Sequence, residues 1–106
     1  MKILITGATG FIGKALVAEL IQQNFNISIA VRQKTSLFPA EVKQFVVGNF
    51  ESNPDFSTSL TEVDCIIHVA GKAHIIDKAQ ASVLDEFRNI NTELTLNLAK
   101  QAIAAK

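Results

Sequence analysis

Apolar and polar positions change period several times along this chain, and each change marks an element. Ile3-Leu4-Ile5 is a continuous apolar run that ends at Thr6-Gly7, the pattern of a short buried strand. Past the glycines, Ile12, Leu16, Val17, Leu20 and Ile21 recur at helical spacing, which predicts an amphipathic helix. Gln22-Gln23-Asn24 closes it, and Asn24 can take the left-handed conformation of a helix exit. Ile27-Ser28-Ile29-Ala30-Val31 alternates as a second strand. A polar turn follows over 32–36, Pro39 breaks what comes next, and Phe45-Val46-Val47 reads as a third strand running into Gly48-Asn49. The polar stretch 51–61 contains Pro54 and predicts a loop, with at most a short helix over 57–62. Cys65-Ile66-Ile67-His68-Val69-Ala70 is apolar enough for a fully buried parallel strand. From about Gln80 onward, Leu84, Phe87, Asn91, Leu94, Leu98 and Ala102 share one helical face, so a long helix ends the chain.

Strands alternating with helical segments predict an α/β fold: a parallel sheet, right-handed crossovers, and helices on both faces. Four strands in the order 3-2-1-4 leave a topological switch between the first and fourth, and ligands bind beyond the carboxyl ends of strands at such a switch. The glycine loop after strand one and the segment His68 to Lys72 after strand four both fall there.

Composition narrows the picture. A chain of 106 residues is one domain or part of one, and its 48% hydrophobic content suffices for a core. Ten basic and ten acidic residues cancel, which gives no reason to expect nucleic acid or an anionic membrane as partner. The first strand begins at Lys2, leaving no room for a signal peptide, and no apolar run approaches membrane-spanning length, so a soluble, cytoplasmic protein is expected. The single cysteine, Cys65, has no internal partner; beside Ile66 and Ile67 it reads as a small buried side chain rather than a nucleophile.

The candidate chemistry centres on Gly7-Ala8-Thr9-Gly10-Phe11-Ile12-Gly13. A strand that turns through glycines into a helix builds a seat for a dinucleotide diphosphate. Gly7 permits the tight turn, Gly10 lets the backbone approach the phosphates, and Gly13 lets the helix pack closely on the strand. The helix start offers backbone N–H groups and partial positive charge, with Thr9, Phe11 and Ile12 where those groups meet the diphosphate. Packing beneath the loop is an equal reading for the Phe11 ring. Ala70 and Gly71 are small enough for a cofactor to lie across strand four. His68 reads as hydrogen-bonded structure more readily than as a catalyst. Lys72 and His74 follow on a loop, either reaching phosphate or substrate or simply solvated. Asn91 interrupts an apolar stripe, where a buried amide needs partners. His68 and His74 lack a third ligand at zinc-like spacing, so no metal site is expected.

Four segments together resemble the extended short-chain dehydrogenase/reductases, and within them the NAD-dependent epimerase/dehydratase group acting on nucleotide sugars. They are the start Lys2 to Gly13; Val47-Gly48-Asn49-Phe50, similar to the family's G-D-hydrophobic signature; Val63 to Gly71, similar to D-x-h-h-H-x-A-[AG]; and Arg88 to Thr95, similar to N-h-x-G-T. The resemblance implies a Rossmann-like sheet truncated after about four strands, with residues 1–106 forming the N-terminal portion of a dinucleotide-binding domain. It implies that Asn49 contacts adenine and Phe50 covers it, that Val69, Ala70 and Gly71 border the cofactor, and that Asn91 steadies the active-site side of the sheet. Asn49 stands where the family has Asp, and Leu94 where it has the glycine of N-h-x-G-T. NAD-using members carry an acid at the end of the second strand; here Val31 and Arg32 stand there. A carboxylate repels a 2′-phosphate and an arginine pairs with it, so Arg32 points to NADP rather than NAD, unless it is a solvated turn residue.

Family catalysis resembles proton and hydride transfer by a Tyr-x-x-x-Lys pair with Ser or Thr. This chain has no tyrosine, so no catalytic residue is assigned and no turnover is expected from these residues alone. The expected function is the NAD(P)-binding half of a nucleotide-sugar epimerase/dehydratase, with the sugar nucleotide held only by a complete enzyme. The alternatives are an NADP-dependent ketone or aldehyde reductase of the same family and a non-catalytic NADP-binding redox sensor. An uncovered outer edge of strand four predicts self-association, or a final helix that swings over that edge.

Overall fold

In the computed structural model, residues 1–50, 54–70 and 92–105 are described. Strand β1 (Lys2–Thr6) leads through the glycine loop into helix α1 (Phe11–Gln22), followed by β2 (Asn26–Val31), β3 (Lys43–Val46), β4 (Cys65–His68) and helix α2 (Leu94–Ala105). The sheet is parallel throughout, in the order β3-β2-β1-β4, as the alternation of apolar patterns predicts. The start of the expected long final helix, from Gln80, lies outside the described residues.

The period-two geometry of the strands sorts the core into two layers. Ile3, Ile5, Ile27, Ile29 and Val31 project to one face, where Val17 of α1 is buried among them and Leu16, Leu20 and Ile21 pack alongside. Leu4 and Ala30 project to the other face and meet Phe56, Leu60, Leu94 and Leu98. The helices therefore cover opposite faces. Ile12, expected in the apolar stripe of α1, is instead 68% exposed, because the first turn projects past the sheet. The exit of α1 is a Schellman closure: Phe25 N–H donates to the Leu20 carbonyl at 3.2 Å, Asn24 N–H donates to Ile21 at 3.0 Å, and Asn24 sits at φ 65°.

Two local expectations, on β3 and β4, are corrected, while 57–62 keeps to the loop the sequence predicts. Strand β3 covers 43–46, not 45–47, and Val47 N–H makes the last bond to β2, donating to the Val31 carbonyl at 2.9 Å. Over 57–62 there are turns and no helix. The Ser59 hydroxyl donates to the Phe56 carbonyl at 2.8 Å, Asp55 accepts from Ser57 N–H at 2.9 Å, and Glu62 is left-handed at φ 60°; short polar side chains here compete with helical bonding. That Ser57 N–H bond, joined by the Ser57 side chain, lowers the pKa of the Asp55 carboxyl. Strand β4 is half-buried along its whole length, Cys65 included, rather than fully buried. It is the sheet's edge, and among the described residues it pairs only with β1. Its start is fastened firmly: Lys2 N–H donates to Asp64 Oδ2 at 2.8 Å, and Asp64 N–H donates to the Lys2 carbonyl at 2.9 Å.

Helix α2 grips the 54–56 segment through two amides. Asn97 Nδ2 and Gln101 Nε2 donate to the Pro54 carbonyl at 3.1 and 3.0 Å, and Phe56 N–H donates to Gln101 Oε1 at 2.6 Å. This clasp holds the fully buried Phe56 against Leu94 and Leu98.

Candidate functional site

All four strands run the same way, so their carboxyl ends open on one rim, and a cleft of about 640 Å³ lies there. Its size suits a small-molecule site. Four chain segments build it: the loop 7–10 after β1, residues 30–35 and Leu37 after β2, Asn49 and Phe50 after β3, and Val69 and Ala70 after β4. The two topological neighbours at the switch, β1 and β4, thus meet across it.

Gly7 has φ +77°, a conformation that disfavours any Cβ, and a Cβ there would stand 2.5 Å from the Ala70 nitrogen and 2.6 Å from the Val69 carbonyl carbon. The turn expected of Gly7 is present, and the exit of β4 also lies directly on it. Gly13 is buried, but the close approach it permits is to the loop rather than to the strand: its Cβ would collide with the Gly7 oxygen and with Ala8 Cα. Gly10 is different. Its Cβ would find only the Gly7 oxygen at 3.4 Å, an ordinary contact, so nothing among the described residues requires glycine there. Gly10 also caps α1 in an extended conformation, without a side-chain cap and without an acid in the first turn. The first-turn N–H groups of Phe11, Ile12 and Gly13 have no carbonyl in their own helix to bond.

The Phe11 ring does not pack beneath the loop; it is 91% exposed, because Gly13 and Ala8 already fill the space under the turn. Phe11, Ile12 and Gly13 do not line the cleft, whereas Gly7, Thr9 and Gly10 do. Arg32, Asn49, Phe50, Val69 and Ala70 also stand in its wall. Phe50 is half-buried and packs its ring 6.3 Å from that of Phe56. Gly71, Lys72 and Asn91 lie outside the described residues.

Among the described residues, the charged side chains in the wall are Arg32 and Lys34, both exposed; no carboxylate lines it. Lys34 and Thr35 escaped the sequence reading, since a polar turn carries no pattern that says which of its side chains face a cleft.

Beneath the rim, a polar chain that runs from buried Thr6 to exposed Thr95 joins three elements. Thr6 is fully buried and its register partner on β4 is His68. Thr6 Oγ1 hydrogen-bonds His68 Nδ1 and accepts from Ala70 N–H at 3.3 Å, while His68 Nε2 reaches Thr95 Oγ1 of α2 at 3.0 Å. A consistent proton assignment has the Thr6 hydroxyl donating to Nδ1 and Nε2–H donating to Thr95. Burial lowers the His68 pKa, which favours this neutral ring. His68 is hydrogen-bonded structure, as expected, and the Thr6 hydroxyl bonded to it holds Ala70 N–H at the cleft. The signal for Thr6 was a lone hydroxyl closing an apolar strand, legible only with the β1–β4 register.

The profile of the NAD dependent epimerase/dehydratase family matches residues 3–106. The chain is 37% identical over 103 residues to a UDP-glucose 4-epimerase of Vibrio cholerae, covering 96% of this chain and 31% of that protein. It is 34% identical over 103 residues to a 3-beta-hydroxysteroid dehydrogenase of Mycolicibacterium neoaurum, covering 92% and 27%. Its fold is shared with MoeE5, solved in complex with UDP-glucose and NAD, at a TM-score of 0.79 and 21% identity over 99% of this chain and 33% of that one. The chain therefore spans about a third of the length of the relatives it matches. With the parallel sheet, the glycine loop and the family match agreeing over nearly every residue, this chain belongs to the NAD-dependent epimerase/dehydratase family.

Proposed function

We propose that this chain is the dinucleotide-binding part of a nucleotide-sugar epimerase/dehydratase-type oxidoreductase. The observation that carries the reading is Gly10. It is a glycine that packing among the described residues does not require, set at a helix start without a side-chain cap inside a cleft at the topological switch. Open space and unbonded N–H groups at that point fit a diphosphate. In this reading Gly7 and Gly13 shape the loop, and Thr9, Gly10 and the N–H groups of Phe11 and Ile12 meet the diphosphate. Asn49 and Phe50 receive the adenine, and Val69 and Ala70 border the far half. Gly71, Lys72 and Asn91 keep the roles the family resemblance implies. When bound, the nicotinamide supplies a hydride acceptor and donor; the chain's own part is to bind and orient it.

MoeE5 was solved with NAD, yet the wall of this cleft carries Arg32 and Lys34 and no carboxylate among the described residues. On that charge pattern we favour the 2′-phosphorylated cofactor, NADP. The likeness to UDP-glucose 4-epimerase supports a sugar-nucleotide substrate for this reading. The likeness to a hydroxysteroid dehydrogenase supports a second reading, an NADP-dependent reductase of carbonyl groups. With no tyrosine in the chain, neither reading assigns it a catalytic residue. The proposal extends to the outer edge of β4, whose backbone groups suit pairing with a second copy. A monomer by size-exclusion chromatography, with fully exchanging amides over 65–70, would remove that extension.

Calorimetric titration of the 106-residue chain with NADP and, separately, NAD tests the main reading. Tighter binding of NADP supports both the site and Arg32. Binding of NAD alone keeps the site and overturns the cofactor preference, and binding of neither overturns the site.

A further inference from the structure

The loop that carries Arg32 and Lys34 leaves β2 after Val31 and is exposed at Arg32, Gln33, Lys34, Ser36 and Leu37. Long cationic side chains on an exposed loop sweep a large volume, and ordering them costs affinity when an anion binds. Here the loop is held at one point. Thr35 N–H donates to Gln44 Oε1 at 3.0 Å, and Gln44 Nε2 donates to the Thr35 carbonyl at 2.7 Å. One side-chain amide thus closes a ring with the N–H and C=O of one residue, reproducing the paired donor and acceptor of a strand neighbour. Gln44 itself is fixed in β3, in register with Ile29 of β2. The Thr35 hydroxyl accepts from Leu37 N–H at 3.2 Å and tightens the same turn. Among the described residues, no other side chain ties the backbone of 32–36 to another element.

This clasp has a chemical consequence at the cleft. Arg32 and Lys34 lie three and one residues before the clasped peptide, and both stand in the wall. Two cations in one wall, with no carboxylate among its described residues, match a phosphate dianion rather than a hydroxyl. A clasp that fixes their backbone lowers the ordering cost for the phosphorylated ligand. It does nothing comparable for a ribose hydroxyl, which does not draw the two charges together.

We propose that Gln44 is a specificity-positioning residue, whose amide clasp on Thr35 holds Arg32 and Lys34 as a two-cation seat for the 2′-phosphate of an adenine dinucleotide. The inference rests on the cofactor reading above and adds Lys34 and Gln44 to it. Gln44 touches no ligand; it acts through the loop.

The test compares four forms of the 106-residue chain: wild type, Gln44→Ala, Arg32→Ala and Lys34→Ala. Each is titrated calorimetrically with NADP and with NAD, and the exchange rate of the Thr35 amide is read by NMR. The expected result is that Gln44→Ala speeds Thr35 exchange and weakens NADP about fivefold to tenfold while moving NAD by less than about twofold. Arg32→Ala and Lys34→Ala weaken NADP in the same selective way with the clasp intact. Equal weakening of both cofactors by Gln44→Ala assigns it a general structural role and overturns the inference. So does unchanged NADP affinity in Gln44→Ala while Arg32→Ala still loses it, and in that case the cofactor reading survives. An Arg32→Ala chain that binds both cofactors as wild type does overturns the cofactor reading, and the inference with it.

Discussion

The two loops that face each other across the cleft are held in place by opposite means. The turn after β1 is locked by backbone alone. Gly7 lies against Val69 and Ala70, and Gly13 lies against Gly7 and Ala8, with no space for even one methyl group. The turn after β2 has no such packing. Its residues are largely exposed, and among the described residues a single glutamine amide from β3 holds it. A backbone lock suits a group common to every dinucleotide, the diphosphate, because it tolerates no variation. A side-chain clasp suits the group by which dinucleotides differ, because exchanging a few residues retunes it without disturbing the sheet.

The contrast is broken most forcefully at the glycines. Gly7→Ala and Gly13→Ala each force a Cβ into fixed backbone, and at Gly7 also into a left-handed conformation. Each is expected to cost about 2–5 kcal/mol of stability, read as a fall in the urea midpoint, with loss of cofactor binding. A mutant that keeps the wild-type midpoint would show that the loop is not locked.

Next in size is the hydroxyl beneath the rim. Thr6→Val leaves Ala70 N–H and His68 Nδ1 without their partner, a loss of about 1–3 kcal/mol. The same network sets an acid dependence. Burial depresses the His68 pKa below its ordinary 6.5, so the unfolded chain takes up protons before the folded one. This contribution to stability is complete above about pH 6.5 and is lost as pH falls through that value toward the lower folded pKa. Denaturant midpoints measured from pH 8 to 5 should fall on the acid side, and His68→Asn should flatten that limb. A wild-type profile as flat as the mutant's would detach His68 from the network.

Gly10→Ala sharpens the comparison inside the first loop. Its Cβ meets only ordinary contact, so stability changes by no more than about 1 kcal/mol, the scale of a cap substitution. Cofactor affinity should nevertheless drop about tenfold or more, since the methyl occupies the diphosphate's approach. Unchanged affinity would remove the diphosphate from this loop. The smallest expected effect belongs to salt. Raising ionic strength should weaken NADP more than NAD, because exposed charges such as Arg32 and Lys34 are screened within about 10 Å at 0.1 M.

Much of this was legible in the residue pattern. Periodicity located every described strand and the first helix, and their alternation suggested the doubly wound strand order. Asn24 announced its own left-handed turn. The glycine loop could be read because its glycines mark conformations and approaches that other side chains forbid. The errors share one cause. Ile12 was expected to pack and does not, packing was one of two readings of Phe11 and does not occur, and β4 was expected to be buried and lies half-open. In each case the pattern recorded that a residue is apolar, while its burial depended on whether another element reached it.

Gln44 and Lys34 mark the same boundary from the polar side. A glutamine in a four-residue strand and a lysine in a polar turn have no distinguishing context in the chain. Their significance comes from a contact nine residues apart along the sequence, between Gln44 and Thr35, and from the neighbouring wall of the cleft. The sequence by itself determined the parallel sheet, the helix on its first face and the glycine turn at the rim, because these follow from local periodicity and backbone sterics. Only the tertiary structure decided which glycine is free of packing, which hydroxyl holds His68, and which amide clasps the cationic loop. Those are matters of distance between elements, and a one-dimensional pattern carries no distances.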